Sequence, residues 1–125
     1  LITYMDGYPY KGFYFLLNYN EGIHKDFERL ITWMVLETPE DFDKLLSRYM
    51  ALPTQVDQII SLMSEGVLEG LVYHDISMKG INENLERFIV ETPEDSPLYE
   101  SFVSMPGSIA EEEANEFRNL AKQII

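Results

Sequence analysis

The sequence predicts an all-α fold: about six helices with short proline-punctuated connections and antiparallel neighbours, behind an irregular aromatic-rich N-terminal arm. Three observations lead there. From His24 onward apolar residues return every three or four positions, the period of a helix with one buried face. Thr38-Pro39, Thr92-Pro93 and Ser96-Pro97 set a capping residue directly before proline, the order of a helix start. Only one stretch, Phe13–Leu17, reads as a strand, and it has no convincing partner. Residues 1–23 form the arm and residues 24–125 the helical region, as one domain or as part of a larger helical protein.

Composition narrows the function classes. Of the 125 residues 46% are hydrophobic and 13% aromatic, which excludes disorder and allows a sizeable core. The net charge of −13, from 22 acidic and 9 basic side chains, argues against nucleic acid and anionic membrane surfaces. There is no cysteine, so disulfides, thiolate metal sites and thiol nucleophiles are out. No apolar run approaches the ~20 residues of a membrane-spanning helix. Leu1 is not a methionine, and Ile124–Ile125 stand inside an amphipathic pattern without a stop signal, so a piece of a longer protein is expected.

In the arm, Tyr4, Tyr8, Tyr10, Phe13, Tyr14, Phe15 and Tyr19 crowd among Gly7, Pro9, Gly12 and Gly22. So many rings are expected to pack on the helices or to dock elsewhere. The first helix spans His24–Leu36, with Phe27, Leu30, Ile31, Met34 and Val35 on one face and Trp33 off it. Glu37–Asp41 then starts a second helix: Thr38 caps, Pro39 fits the first turn, and the acids meet the positive end of the dipole. That helix carries Phe42, Leu45, Leu46, Tyr49 and Met50 inward. A break is expected near Leu52, because the residue before proline avoids the α region.

The longest helix is expected over Leu52–Leu71, with Leu52, Val56, Ile59, Ile60, Met63 and Val67 on its face. Gly66 inside it predicts close approach of a neighbouring backbone, and Gly70 a left-handed stop. Ser77 is the expected cap of a helix carrying Met78, Ile81, Leu85, Phe88 and Ile89. Glu91–Asp95 repeats the five letters of Glu37–Asp41, a repeat of a cap rather than of a fold. Ser96-Pro97 starts a short helix to Met105, ended by Pro106-Gly107. Ser108 and Glu111 read as a capping box for the last helix, with Ala110, Ala114, Phe117, Ala121 and Ile124 on a face that another helix can approach closely.

Catalytic signatures are missing from these residues. His24 and His74 are far apart in sequence and belong to no His-Glu-x-x-His helix, and both read as surface residues. Neither a Gly-x-Ser-x-Gly elbow nor a glycine-rich phosphate loop occurs. The paired carboxylates at Glu40/Asp41, Glu94/Asp95 and Glu111–Glu113 sit at helix starts, where the dipole accounts for them. The polar cluster that capping leaves over is Asn18, Asn20, Glu21 and His24 around Gly22. A glycine loop with mixed donors and acceptors beside aromatics makes Asn18, Asn20, Gly22 and His24 the candidates for lining a substrate cleft.

The run Phe42-Asp43-Lys44-Leu45-Leu46, Leu52-Pro53, Val56-Asp57-Gln58, Ile60, Leu62-Met63, Glu65-Gly66 and Gly70 resembles the DUF885 family, long and mostly helical proteins similar to zinc metallopeptidases. A segment of the type YLxRLxxLPxxVDQxIxLMREGIxxG is followed there by SPLYxxF, matched here by Tyr49, Leu52-Pro53 and then Ser96-Pro97-Leu98-Tyr99 with Phe102. Asn18 to His24 is similar to the family's asparagine–glycine–histidine stretch. Ser64 replaces a usual basic residue and Met50 interrupts the usual arginine-leucine, which affects a basic contact but not the fold. The resemblance implies an enzyme with zinc on two histidines and a downstream acid, and a glutamate activating water. Those residues are not in this chain, so no catalytic or metal-binding residue carries over.

The expected role is therefore a non-catalytic helical portion of a metallopeptidase-like protein that helps wall the substrate cleft, zinc belonging to the parent rather than to this chain. The alternative is a stand-alone helical interaction scaffold; a small-molecule binder between helices is a third reading. The expected partner is the remainder of the parent or a second copy, through the aromatic arm and the last helix, with no nucleic acid and no membrane.

Overall fold

A computed structural model of the chain describes residues 11–125. Tyr4, Gly7, Tyr8, Pro9 and Tyr10 of the arm lie outside the described residues. The elements are a 3-10 turn at Gly12–Tyr14, then α1 (Ile23–Trp33), α2 (Pro39–Leu68), α3 (Asp75–Met78) and α4 (Ile81–Glu86). Two 3-10 turns, Pro93–Asp95 and Pro97–Tyr99, lead into α5 (Glu100–Val103), and α6 (Glu111–Ile124) completes the order. The fold is all-α, with no strand among the described residues.

The strand expected over Phe13–Leu17 does not form: a 3-10 turn at Gly12–Tyr14, closed by the Phe15 N–H on the Gly12 carbonyl at 3.1 Å, is followed by irregular backbone. The turn exists because Tyr14 packs on α2: a Cβ built on Gly66 would come within 2.9 Å of the Tyr14 Cβ and 3.1 Å of the Leu71 carbonyl oxygen. Gly66 is thus needed for close approach, as its position inside the helix predicts. The neighbours are a side chain and the chain's own return after Gly70, whose φ of 74° supplies the left-handed stop.

The break expected at Leu52 is also absent. α2 runs through Pro53 as one helix of 30 residues. Proline has no N–H for the Tyr49 carbonyl and costs about 3 kcal/mol in a helix interior. Pro53 is exposed, and half-buried Leu52 and Val56 on either side line the pocket that joins α2 to its neighbours. Packing on both flanks outweighs the lost bond.

The expected helix after Ser77 is divided. Its start is set by His74 and Asp75, whose Nδ1 and Oδ1 accept the Ile76 N–H at 3.4 and 2.8 Å. Gly80, at φ 82°, then separates α3 from α4. Ser108 does not cap α6: its hydroxyl donates to the Glu37 carbonyl at 2.8 Å, tying the approach to α6 to the approach to α2. Ala110 is the N-cap residue and Glu111 pairs with Arg118 at 3.0 Å.

The core lies on the first half of α2. Phe42, Leu45, Leu46 and Tyr49 meet Phe27 of α1, Tyr99, Phe102, Ile109, and Ala114, Phe117 and Ala121 of α6. Two alanines on α6 let its backbone approach α2, and Phe42 stacks against Phe102 and Phe117 with ring centroids 5.7 Å from each. The Tyr49 hydroxyl donates to the Leu98 carbonyl at 2.6 Å, and burial pushes its ionisation well up. The second half of α2 has lighter cover, from Tyr14 on one flank and residues around α4 on the other.

Candidate functional site

The loop ahead of α1 is built by Asn18. Its side-chain oxygen accepts the Asn20 and Glu21 N–H groups at 2.8 and 3.0 Å, while its own N–H donates to the Glu21 carbonyl at 2.9 Å. Its amide nitrogen donates to the Tyr73 hydroxyl at 3.1 Å. The Tyr19 N–H reaches the Ser77 carbonyl at 2.7 Å, so the loop is fastened to α3 as well as, through Tyr73, to the α2–α3 connection. Gly22 then turns the chain at φ 131°, a conformation that excludes a side chain, and a Cβ there would sit 2.7 Å from Leu17 Cδ1.

His24, the second residue of α1, is buried rather than on the surface as its sequence position predicts: 3% of it is exposed. Among the described residues neither ring nitrogen has a hydrogen-bond partner. The residue lines an apolar pocket of about 170 Å³ with Ile23 and Phe27 of α1, Leu52 and Val56 of α2, and Leu85, Phe88 and Leu98. Burial, followed by the nearby Lys25 and Arg87 charges, holds the imidazole below its ordinary value of 6.5, against the opposing pull of Asp26 and Glu28. The ring is therefore neutral, with one donor and one acceptor on offer. At the edge Arg87 stacks over Phe88 at 5.0 Å and pairs with Glu28.

The four sequence candidates thus divide. Asn18, Asn20 and Gly22 come together in one loop, where Asn18 and Gly22 set the backbone and exposed Asn20 contributes its N–H. His24 alone lines the pocket. Sequence reasoning missed Phe27, Leu52, Val56, Leu85, Phe88 and Leu98 as lining because apolar residues on helical faces read as core. Tyr73 was missed because it lies in a connector without a period. Among the described residues no group of three or more His, Cys, Asp or Glu could hold a metal ion. Of the two histidines, His24 lies in the apolar pocket while exposed His74 caps α3, so they stand in different surroundings.

An all-α body with a histidine-bearing apolar pocket is what the geometry defines. Residues 6–125 match the family described as "Bacterial protein of unknown function (DUF885)", and the chain belongs to that family. Comparison with curated proteins and with solved structures returns no match.

Proposed function

We propose that this chain is a non-catalytic helical portion of a metallopeptidase-like DUF885 protein, and that the His24 pocket walls part of its substrate cleft. The observation that carries this reading is the unpartnered imidazole. Leaving a buried polar group unsatisfied costs about 1–3 kcal/mol, so such a group calls for a partner, and a guest in the pocket would supply one. A pocket of about 170 Å³ is comparable to cavities that admit a benzene-sized guest. The guest that fits is one apolar side chain carrying a polar atom; a small rotation of the ring brings an imidazole nitrogen to that atom.

Titration with N-acetyl-tyrosinamide and N-acetyl-leucinamide, followed by methyl NMR, tests the pocket. Saturable shifts are expected at Val56, Leu85 and Leu98, and they should be lost in His24→Phe. Shifts that never saturate, or that persist in the variant, would refute the pocket reading. Zinc calorimetry on the chain tests the non-catalytic assignment separately: no stoichiometric sub-micromolar site is expected, and finding one would overturn it.

A further inference from the structure

We infer that the second half of α2 is a docking surface for a basic amphipathic helix, one that no segment among the described residues supplies. Phe42, Leu46, Tyr49, Pro53, Ile60 and Val67 succeed one another at helical spacings of three, four and seven, a single stripe along α2. Its first half is the core. Beyond Pro53 the described elements turn to a different flank, and the stripe emerges: Ile60 and Val67 are more than half exposed and Leu68 is 88% exposed. Val72 and Ile76 extend the exposed apolar surface past Gly70. The two serines beside the stripe do not call for water, because Ser61 and Ser64 donate to the Asp57 and Ile60 carbonyls at 2.9 and 2.7 Å. A groove of about 150 Å³, lined by Tyr14, Phe15, Met63, Val67, Val72 and Tyr73, opens beside Val67 with room for one anchoring side chain.

Charge identifies the occupant. Residues 49–78 contain Asp57, Glu65, Glu69 and Asp75 and not one lysine or arginine. Asp57, Glu65 and Asp75 are exposed. A second copy would set these carboxylates against each other. Nor do the described residues hold a spare basic helix: Lys11, Arg29, Lys44, Arg87, Arg118 and Lys122 each pair with a carboxylate of their own chain, and Lys25, Arg48 and Lys79 are scattered over α1, α2 and the end of α3. An apolar stripe with acids along one edge, Glu69 among them held by Lys11, is complementary to a helix with an apolar stripe flanked by lysine and arginine. This inference is independent of the His24 pocket.

The test uses a labelled synthetic peptide of about 18 residues, helical, with leucines at i, i+3, i+4 and i+7 and lysines beside them, against the same peptide with glutamates in their place. In fluorescence anisotropy the lysine peptide is expected to bind and the glutamate peptide to fail. Raising salt from about 50 to about 500 mM should weaken binding severalfold. Both substituted residues in Ile60→Arg/Leu68→Arg are exposed, so the thermal transition should stay near wild type while affinity falls about tenfold or more. Equal binding of both peptides, no binding, or wild-type affinity in the double variant would overturn the inference. So would sedimentation showing a dimer that Ile60→Arg dissociates, since the occupant would then be a second copy.

Discussion

The segments Glu37–Asp41 and Glu91–Asp95 have identical sequences and begin with nearly identical geometry. Thr38 and Thr92 are both extended, with φ −124° and −125°. Thr38 Oγ1 donates to the Asp41 carboxylate at 2.7 Å, and Thr92 Oγ1 to the Asp95 carboxylate at 2.8 Å. Each backbone then closes the same turn, with the aspartate N–H on the threonine carbonyl at 3.0 Å. Yet the first copy opens a helix of 30 residues and the second a turn of 3. A cap permits a helix; it does not make one.

The residues after the cap decide the length. Asp41 leads into Phe42, Leu45, Leu46 and Tyr49, a face that buries itself in the core. After Asp95 comes Ser96-Pro97, and proline holds Ser96 extended, at ψ 137°. Buried Ser96 then recaps the chain by accepting the Leu98 N–H at 3.2 Å. The largest expected effect is therefore at the buried face: Phe42→Ala should leave the Thr38–Asp41 contact untouched and still cost about 3–5 kcal/mol in urea unfolding, because the side chain is almost wholly buried. A loss under about 1 kcal/mol would mean that the cap, not the face, holds α2.

His24 is the opposite of the satisfied caps, a polar group in the interior with no partner among the described residues. His24→Phe should stabilise the chain by about 1–3 kcal/mol, removing an unmet desolvation cost while the pocket takes the extra volume. The pH dependence has a definite sign. The folded imidazole is held below 6.5, so below that value the unfolded chain binds a proton that the folded chain refuses. Wild-type stability should fall as pH drops through 6.5 and level off once the folded ring titrates. Denaturant midpoints for His24→Phe against wild type should lack that decline; a parallel decline would assign it elsewhere.

The same contrast explains what was legible in the sequence. Caps and apolar faces are local, so the all-α class, the Thr38 and Ser96 starts, the Gly70 stop and the Ala114, Phe117 and Ala121 part of the α6 face, though not exposed Ala110, could be read from spacing alone. The continuity of α2 could not, since the outcome at Pro53 depends on Leu52 and Val56 lining one pocket with Phe27, Leu85 and Leu98, which are distant in sequence. Ser108 looked like a cap because its spacing to Glu111 is right, but the Glu37 carbonyl competes for its hydroxyl. Asn18 and Gly22 were visible as a loop, whereas the burial of His24 required Leu85, Phe88 and Leu98 to arrive from the far side of the chain.

Removing the two threonine hydroxyls measures the caps themselves. Thr38→Ala should cost about 1 kcal/mol and Thr92→Ala less, because only the first cap supports a helix with a buried face. Equal losses in thermal unfolding would show that cap energy is independent of what the cap begins.

The smallest expected effect lies in the Asp41 carboxylate. Hydrogen bonds from the Thr38 hydroxyl and N–H, and then from the Glu37 N–H, hold it below its ordinary value of 3.8. A depressed carboxylate stabilises the fold above its unfolded value, and that contribution is lost as pH falls through the folded value. Asp41→Asn keeps an acceptor for the same donors but removes the titrating charge. The variant should unfold close to wild type at neutral pH and lose less stability than wild type once pH drops below 3.8. Because Asp41 serves the helix that the core holds, this difference should shrink in a Phe42→Ala background, where the α2 face is already loosened. A pH difference of the same size in both backgrounds would separate the cap from the helix it begins, and the first copy would then be no different from the second.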